Sequence, residues 1–231
     1  MALFAALTTT LIPVVATVLG ATVATYRRPG PIFASAIQHF AAGVVFAAAA
    51  GEILPTLKHG SSIWPIVIGG GIGIVVMLLI QQLSERTKGP TGLLTLVAVD
   101  LFIDGLVLGL GFAVSAKAGL LLTIALTLEV LFLGLSLAAE LGDEEISGVR
   151  SVGLVAAVAL LLPAGVVAAL PIAHLSPSVL TGFFAFGLIA LLYLVTEELL
   201  VEAHETPDRP WVTALFFVGF LLLLGLEQVM G

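Results

Sequence analysis

Cysteine is absent from this 231-residue chain, and charged residues make up only 10% of it. Without cysteine the chain forms no disulfide, offers no thiolate ligand and has no cysteine nucleophile, and its redox compartment stays open. A soluble domain carries roughly 25% charged residues. No soluble fold would bury a chain that is 60% hydrophobic. The composition therefore indicates an integral membrane protein.

The sequence also lacks the motifs of several function classes. It contains no pairing of a nucleophile with a base, no phosphate-binding loop and no zincin motif, so we expect no enzyme and no prosthetic group. Its 8 lysines and arginines are too few for a nucleic-acid surface. The glycines of residues 69–73 lie inside an apolar run, where glycine allows close helix packing. The expected surroundings are a lipid bilayer.

Eight apolar runs follow one another along the chain. A helix that rises ~1.5 Å per residue needs about 20 apolar residues to cross a hydrocarbon core ~30 Å thick, and barrel strands would be about half as long. The predicted fold is one all-α transmembrane domain over residues 1–231. The first run counts as a span, because residues 1–7 lack the basic start of a signal peptide. The predicted spans are residues 6–26, 33–56, 62–83, 92–115, 118–140, 149–173, 178–203 and 210–230.

The distribution of lysine and arginine predicts the orientation of the chain. Short cytoplasmic loops carry an excess of these residues. The loops after spans two, four and six carry only Lys58 and Lys117, whereas those after spans one, three, five and seven carry Arg27, Arg28, Arg86, Lys88, Arg150 and Arg209. We therefore predict a multi-pass protein of a cell (inner) membrane with both termini outside.

Two internal similarities indicate a repeat. Residues 40–43 and 52–55 of span two resemble residues 184–187 and 198–201 of span seven. Because these two spans are predicted to run in opposite directions, the similarity predicts an inverted repeat of spans one to three against six to eight, which is common in transporters. The stretches from Asp104 and from Glu129 also look alike, so spans four and five form a central pair. The predicted arrangement is 3+2+3.

Three carboxylates lie near the middle of the central pair. Asp100 and Asp104 are four residues apart on one face of span four, and Glu129 lies in the middle of span five. An aspartate at the centre of a membrane helix costs roughly 3 kcal/mol, and no lysine or arginine lies at that depth. The sequence predicts a partner from outside the chain, either a metal cation or protons. The alternative is that the acids are protonated and hydrogen-bonded between helices.

Further polar residues lie nearer the ends of the spans. Glu52 lies toward the outer end of span two, which makes it a candidate for an entry path. Candidates for an exit path at the inner end of span seven are Glu197, Glu198, Glu202 and His204. Solvation at the interface would explain these acids equally well, and a solvated charge run is the expected state of residues 140–145. Interfacial positions, rather than metal ligation, are predicted for His39, His59, His174 and His204.

Span four resembles the HNxPEGxAxG signature of the ZIP metal transporters. Asp100 and Asp104 stand at the places of its histidine and glutamate, and Gly105 and Gly109 match its glycines. Residues 125–134 of span five are similar to a second copy of this signature, with Glu129 at the glutamate position.

Two further motifs extend the resemblance over most of the chain. Residues 52–55 are similar to the HLLP ending of span two in that family, and residues 193–202 to its LYxxxxELLPE stretch in span seven. Residues 162–165 resemble the EPxG of span six without its glutamate. The resemblance implies eight spans, outside termini, a transport site between spans four and five, and movement of one helix bundle against another.

The resemblance also implies a ligand set. Asp100, Asp104 and Glu129 would keep three primary metal positions. Leu101, Leu126, Leu162 and Ala125 stand where the family has polar residues, so one metal ion is expected rather than two. Oxygen ligands suit Mn²⁺, Mg²⁺ or Ca²⁺, whereas the family favours zinc, iron, manganese or cadmium, and the sequence does not choose among them.

Three functions stay open at this point. The leading hypothesis is saturable transport of a divalent metal cation by alternating access. A proton-coupled carrier would use the same acids to move another solute, and a degenerate relative would bind metal without moving it. A homodimer is an assembly compatible with a small transporter.

Overall fold

The computed structural model describes residues 2–27, 30–58, 62–86, 89–207 and 209–230. These ranges contain helices and no strand, so the all-α prediction is confirmed. Eight helices are long and apolar enough to span a membrane, as a multi-pass membrane protein requires. They are Ala6–Tyr26, Pro31–Lys58, Trp64–Leu83, Pro90–Val114, Ala116–Asp143, Gly148–Ile172, Pro177–His204 and Pro210–Val229. The ends differ from the predicted ones by at most 3 residues. Arg28, His59 and Lys88 lie outside the described residues.

Proline sets many of the helix boundaries. Pro31, Pro90, Pro177 and Pro210 each stand in the first turn of a span, where the missing N–H costs nothing. Inside a span, proline instead removes a hydrogen bond to the residue four positions earlier. Pro163 accordingly divides span six into the helices Gly148–Ala159 and Leu161–Ile172. Pro13 likewise divides span one, whose first residues belong to the helix Ala2–Thr9 and whose remainder is Leu11–Tyr26.

Spans two and seven each contain a π-helical turn. Span two runs as Pro31–Ala48, the π-helix Ala49–Ile53 and Leu54–Lys58. Span seven runs as Pro177–Tyr193, the π-helix Leu194–Leu199 and Leu200–His204. These two turns carry Glu52 and the Glu197–Glu198 pair, the stretches in which the sequence shows its internal similarity. A π-turn shifts the following residues around the helix axis and is frequent at functional sites.

The eight spans pack as two bundles of four. Span one packs on span five, span six on span four, and spans four and five on each other, and these form the first bundle. Span two packs on span eight and span seven on span three, and these form the second bundle. Exchanging span one with six, two with seven, three with eight and four with five reproduces the same set of contacts. The packing therefore has the symmetry that the inverted repeat requires.

Glycine pairs allow the closest crossings, because helix backbones meet there without intervening side chains. A Cβ on Gly20 of span one would come 1.9 Å from the Leu131 carbonyl oxygen, and one on Gly134 of span five would come 2.1 Å from that of Thr17. Gly43 and Gly219 stand in the same relation at the crossing of spans two and eight. The glycines seen in the sequence thus fix which helices become neighbours.

Candidate metal centre

The central carboxylates reach one depth because spans four and five form a helical hairpin. Ser115 alone separates the helices Pro90–Val114 and Ala116–Asp143, and its hydroxyl accepts a hydrogen bond from the Ala118 N–H as an N-cap. Asp100 lies 15 residues before Ser115 and Glu129 lies 14 residues after it. At ~1.5 Å per residue both are roughly 21–23 Å from the turn. The hairpin therefore brings them to the same level.

Asp100, Asp104 and Glu129 form a compact buried cluster. One carboxylate oxygen from each lies within 4.8 Å of the others. The three residues expose 6%, 1% and 2% of their surface, respectively. Asp100 Oδ2, Asp104 Oδ2 and both carboxylate oxygens of Glu129 are buried without a hydrogen-bond partner. The hypothesis that these three acids come together is confirmed in its geometry.

Such a cluster is stable only with a bound cation or with protons on its acids. Three acidic groups repel one another in a low-dielectric interior, and buried polar atoms without partners are costly. A divalent cation would meet both needs, since hard ions bind carboxylate oxygens. Oxygens that share one Mg²⁺ or Ca²⁺ ion are at most roughly 4–5 Å apart, and the three oxygens of the cluster all lie within 4.8 Å of one another. The three side chains can therefore close on one ion.

A cavity of about 290 Å³ connects this cluster with one end of the bundle. Asp100 lies at its deep end. Its acidic and hydroxyl lining consists of Asp100, Ser136, Glu140, Glu197, Glu198, Tyr193 and Glu202. We call the end where the cavity opens, marked by Glu140 and Glu202, the acidic end.

Two of the lining residues on span five were not predicted as path residues. Ser136 was not singled out, and Glu140 was expected to belong to a solvated loop. The helix instead continues to Asp143, and both residues line the cavity. Together with Glu129 and Leu133 they stand at helical spacings of four, three and four residues, so one face of span five carries them all. This helical spacing from Glu129 is the sequence signal that could have predicted Ser136 and Glu140 as path residues.

Span seven brings its predicted carboxylates to the cavity. Glu197, Glu198 and Glu202 all line it. The π-turn places Glu198 close enough to Asp100 and Asp104 for charge repulsion between them. Glu202 lies nearer the acidic end, where it accepts a hydrogen bond from the Gln38 side chain. These acids form a continuous series from the cluster to the acidic end.

His39 and His204 stand apart from the cavity lining. His39 lies near one end of span two, as the sequence shows, but its side chain is packed within the protein and only 1% exposed. Ser35 of the same helix donates a hydrogen bond to the Ala203 carbonyl oxygen at 2.7 Å, so protein rather than lipid headgroups surrounds this part of span two. His204 is exposed, as predicted, and its ring lies edge-on to that of His39.

Glu52 lies outside both the cluster and the cavity. Its charged neighbours are Glu227 of span eight and Lys117 of span five. A Cβ on Gly51 would come 2.5 Å from a carboxylate oxygen of Glu227, so these helices are in close contact. Glu52 is thus part of a separate charged group near the Lys117 turn of the bundle.

Apolar side chains occupy the positions expected for a second metal. Leu101, Leu126 and Leu162 expose none of their surface, and Ala125 is also buried. These side chains belong to the hydrophobic core. These four side chains therefore offer no polar ligand beside the cluster.

No protein-family model matches this chain, and no curated protein matches it either. The functional argument therefore depends on the site itself.

Proposed function

We propose that this protein transports divalent metal cations across a cell membrane, in the manner of the ZIP transporters that its motifs resemble. The cluster of Asp100, Asp104 and Glu129, buried and with unpartnered oxygens, is the observation that carries the proposal. Protonated acids hydrogen-bonded between the two helices are the alternative role for these residues. The convergence of one oxygen from each of three acids supports a shared cation.

The cavity supplies one half of a transport path. It leads from Asp100 past Glu198 to Glu140 and Glu202. The adjoining loops carry Arg150 and Arg209, so by the positive-inside rule this end faces the cytoplasm and both termini lie outside. The described conformation is then open to the inside. Glu52 and Glu227 at the opposite end are the acids that an entering cation meets first.

The two bundles provide the moving parts. All three ligands belong to the first bundle, whereas Glu197, Glu198 and Glu202 belong to the second. A displacement of the first bundle against the second would carry the ion from one side of the membrane to the other. The same three ligands would hold the ion throughout. Paired inverted repeats support such alternation, because the exchange of the two halves turns one open state into the other.

The ligand chemistry favours hard or borderline cations. Three carboxylates without nitrogen or sulfur suit Mn²⁺, and Fe²⁺, Zn²⁺ and Cd²⁺ belong to the same substrate class through the resemblance. The metal ion is the transported substrate and not a resident cofactor. Weak binding at such a site helps release into the cavity.

Uptake into proteoliposomes tests the proposal. We expect saturable flux of Mn²⁺, with Zn²⁺, Fe²⁺ and Cd²⁺ compared in parallel, and loss of flux in Asp104→Asn and Glu129→Gln, which keep side-chain volume. Glu144→Gln is the matched control, since Glu144 is exposed at the end of span five. If liposomes with folded native protein show no more metal flux than empty liposomes, the proposal is wrong. The remaining hypotheses are then a degenerate relative that moves no metal and a carrier of another solute. Flux of another solute that depends on pH would favour the carrier.

A further inference from the structure

His39 is a buried histidine with an unused nitrogen. Its side chain is 1% exposed, and Nε2 is buried without a hydrogen-bond partner. Nδ1 lies 2.9 Å from the Ser35 carbonyl oxygen. Since a carbonyl oxygen only accepts, Nδ1 carries the hydrogen, and Nε2 of the neutral ring is then an acceptor. Buried polar atoms rarely lack a partner, so this nitrogen indicates a ligand.

The second observation is the position of His204. The centroids of the His39 and His204 rings lie 5.0 Å apart, with an angle of 61° between the ring planes. Two imidazoles that bind one tetrahedral zinc ion through nitrogens at ~2.0–2.1 Å hold their centroids about 5 Å apart. The two rings therefore have the separation of a pair that shares one ion.

The orientation of both rings fits metal binding. Nδ1 of His204 contacts the Leu200 carbonyl oxygen, four residues earlier, as Nδ1 of His39 contacts that of Ser35. A hydrogen bond from one ring nitrogen to a carbonyl fixes the tautomer of metal-binding histidines and directs the other nitrogen to the ion. The two rings come from spans two and seven, which the Ser35–Ala203 hydrogen bond holds together.

We propose that His39 and His204 form a second cation site beside the acidic end, selective for divalent ions that prefer imidazole, such as Zn²⁺. The site is separate from the cluster of Asp100, Asp104 and Glu129, and neither histidine lines the cavity. Among the described residues only that cluster already gathers three ligands. Water completes the histidine site, or Glu202 does, whose carboxylate accepts a hydrogen bond from the side chain of Gln38, the residue before His39. Glu202 also lines the cavity, so binding here would withdraw a carboxylate from it.

Zinc binding to a chain that lacks one acid of the central cluster tests this site. The purified full chain carrying Asp104→Asn is dialysed against Zn²⁺, and bound zinc is measured together with X-ray absorption at the zinc edge. We expect one zinc ion per chain with two imidazole ligands. Adding His204→Gln should weaken this binding at least tenfold, and adding His39→Gln should do the same. His174→Gln is the control, because His174 is exposed in the loop between spans six and seven.

The results separate this inference from the transport proposal. His204 is exposed, so its variant will fold, and size-exclusion chromatography checks the His39 variant. Zinc bound without imidazole scattering, no zinc bound at all, or binding unchanged by His204→Gln would overturn the second site. A two-imidazole site in a native chain that moves no metal would instead count against transport alone.

Discussion

Gly105 of span four and Gly165 of span six lie against each other at the crossing beside the metal cluster. A Cβ on Gly105 would come 1.9 Å from the Leu162 carbonyl oxygen, and one on Gly165 would come 2.1 Å from that of Phe102. Both of these oxygens belong to the backbone, which cannot move aside as the end of a flexible side chain can. Because Asp104 precedes Gly105, this contact also sets the position of one ligand.

Gly105→Ala should therefore destabilise the protein and weaken metal binding together. Overpacking costs typically 1–3 kcal/mol, and we expect the upper part of that range because backbone must shift. Thermal unfolding in detergent measures the stability, and dialysis against Mn²⁺ measures the binding. Gly153→Ala on span six is the matched control, since a Cβ there meets nothing within 4 Å. Equal melting temperatures for the two variants would contradict the packing argument.

Asp104→Asn should raise the stability of the metal-free protein. The substitution removes one of three acidic groups that repel one another in a buried cluster. Mn²⁺ at about 100 times its Kd should stabilise the native chain by ~2.7 kcal/mol, and the variant should gain much less. Melting curves with and without Mn²⁺ give both values. The interpretation fails if Mn²⁺ stabilises native chain and variant alike.

The absence of cysteine allows the cavity to be mapped with single thiols. Ser136→Cys, in the cavity lining, should react with a water-soluble maleimide, whereas Ser151→Cys, only 1% exposed and outside the lining, should not. Both changes replace an oxygen by a sulfur, so the pair is matched. Mass spectrometry gives the extent of labelling. Similar labelling of both positions would mean that the cavity is not the water path.

The same Ser136→Cys variant tests the orientation. With a membrane-impermeant reagent, labelling should be fast in inside-out vesicles and slow in right-side-out vesicles, because the acidic end is proposed to face the cytoplasm. The reverse pattern would place the termini inside. Excess Mn²⁺ should slow the labelling when the ion leaves through this cavity.

Lys117→Gln should lower the metal concentration that gives half-maximal uptake. Lys117 is the basic neighbour of Glu52, and its charge both offsets that of the carboxylate and repels an approaching cation. The effect should shrink as salt screens it. Uptake assays at two ionic strengths measure it. Lys58→Gln is the control at an exposed position, and an equal effect there would indicate general surface charge.

The metal cluster is the part of the site that sequence reasoning found. Asp100 and Asp104 share a face by helical spacing, and Glu129 lies at matching depth because a single residue, Ser115, turns the chain between two helices. Both facts follow from the rise and the period of an α-helix. The sequence also shows that Ser136 and Glu140 share a helix face with Glu129. It does not show that this face lines a cavity, so their role could not be predicted.

His39 and Glu140 show where such reasoning fails. Position along a span predicts depth in the bilayer and nothing about neighbours in the bilayer plane. His39 lies near one end of span two, yet its side chain is buried and meets His204 of span seven. Glu140 lies at the predicted end of span five, yet it lines the cavity, because the helix continues and spans three, four and seven form the other walls.

The sequence by itself determined the eight helices, their order and the depth of the three carboxylates, since these depend on runs of apolar residues and on helix geometry along one chain. Only the tertiary structure decided the two bundles, the cavity and the meeting of His39 with His204. In a bilayer, the faces that touch lipid are as apolar as those that touch other helices. Apolar periodicity therefore does not show which faces meet, and close contacts between particular backbones, such as those at Gly105 and Gly165, settle it.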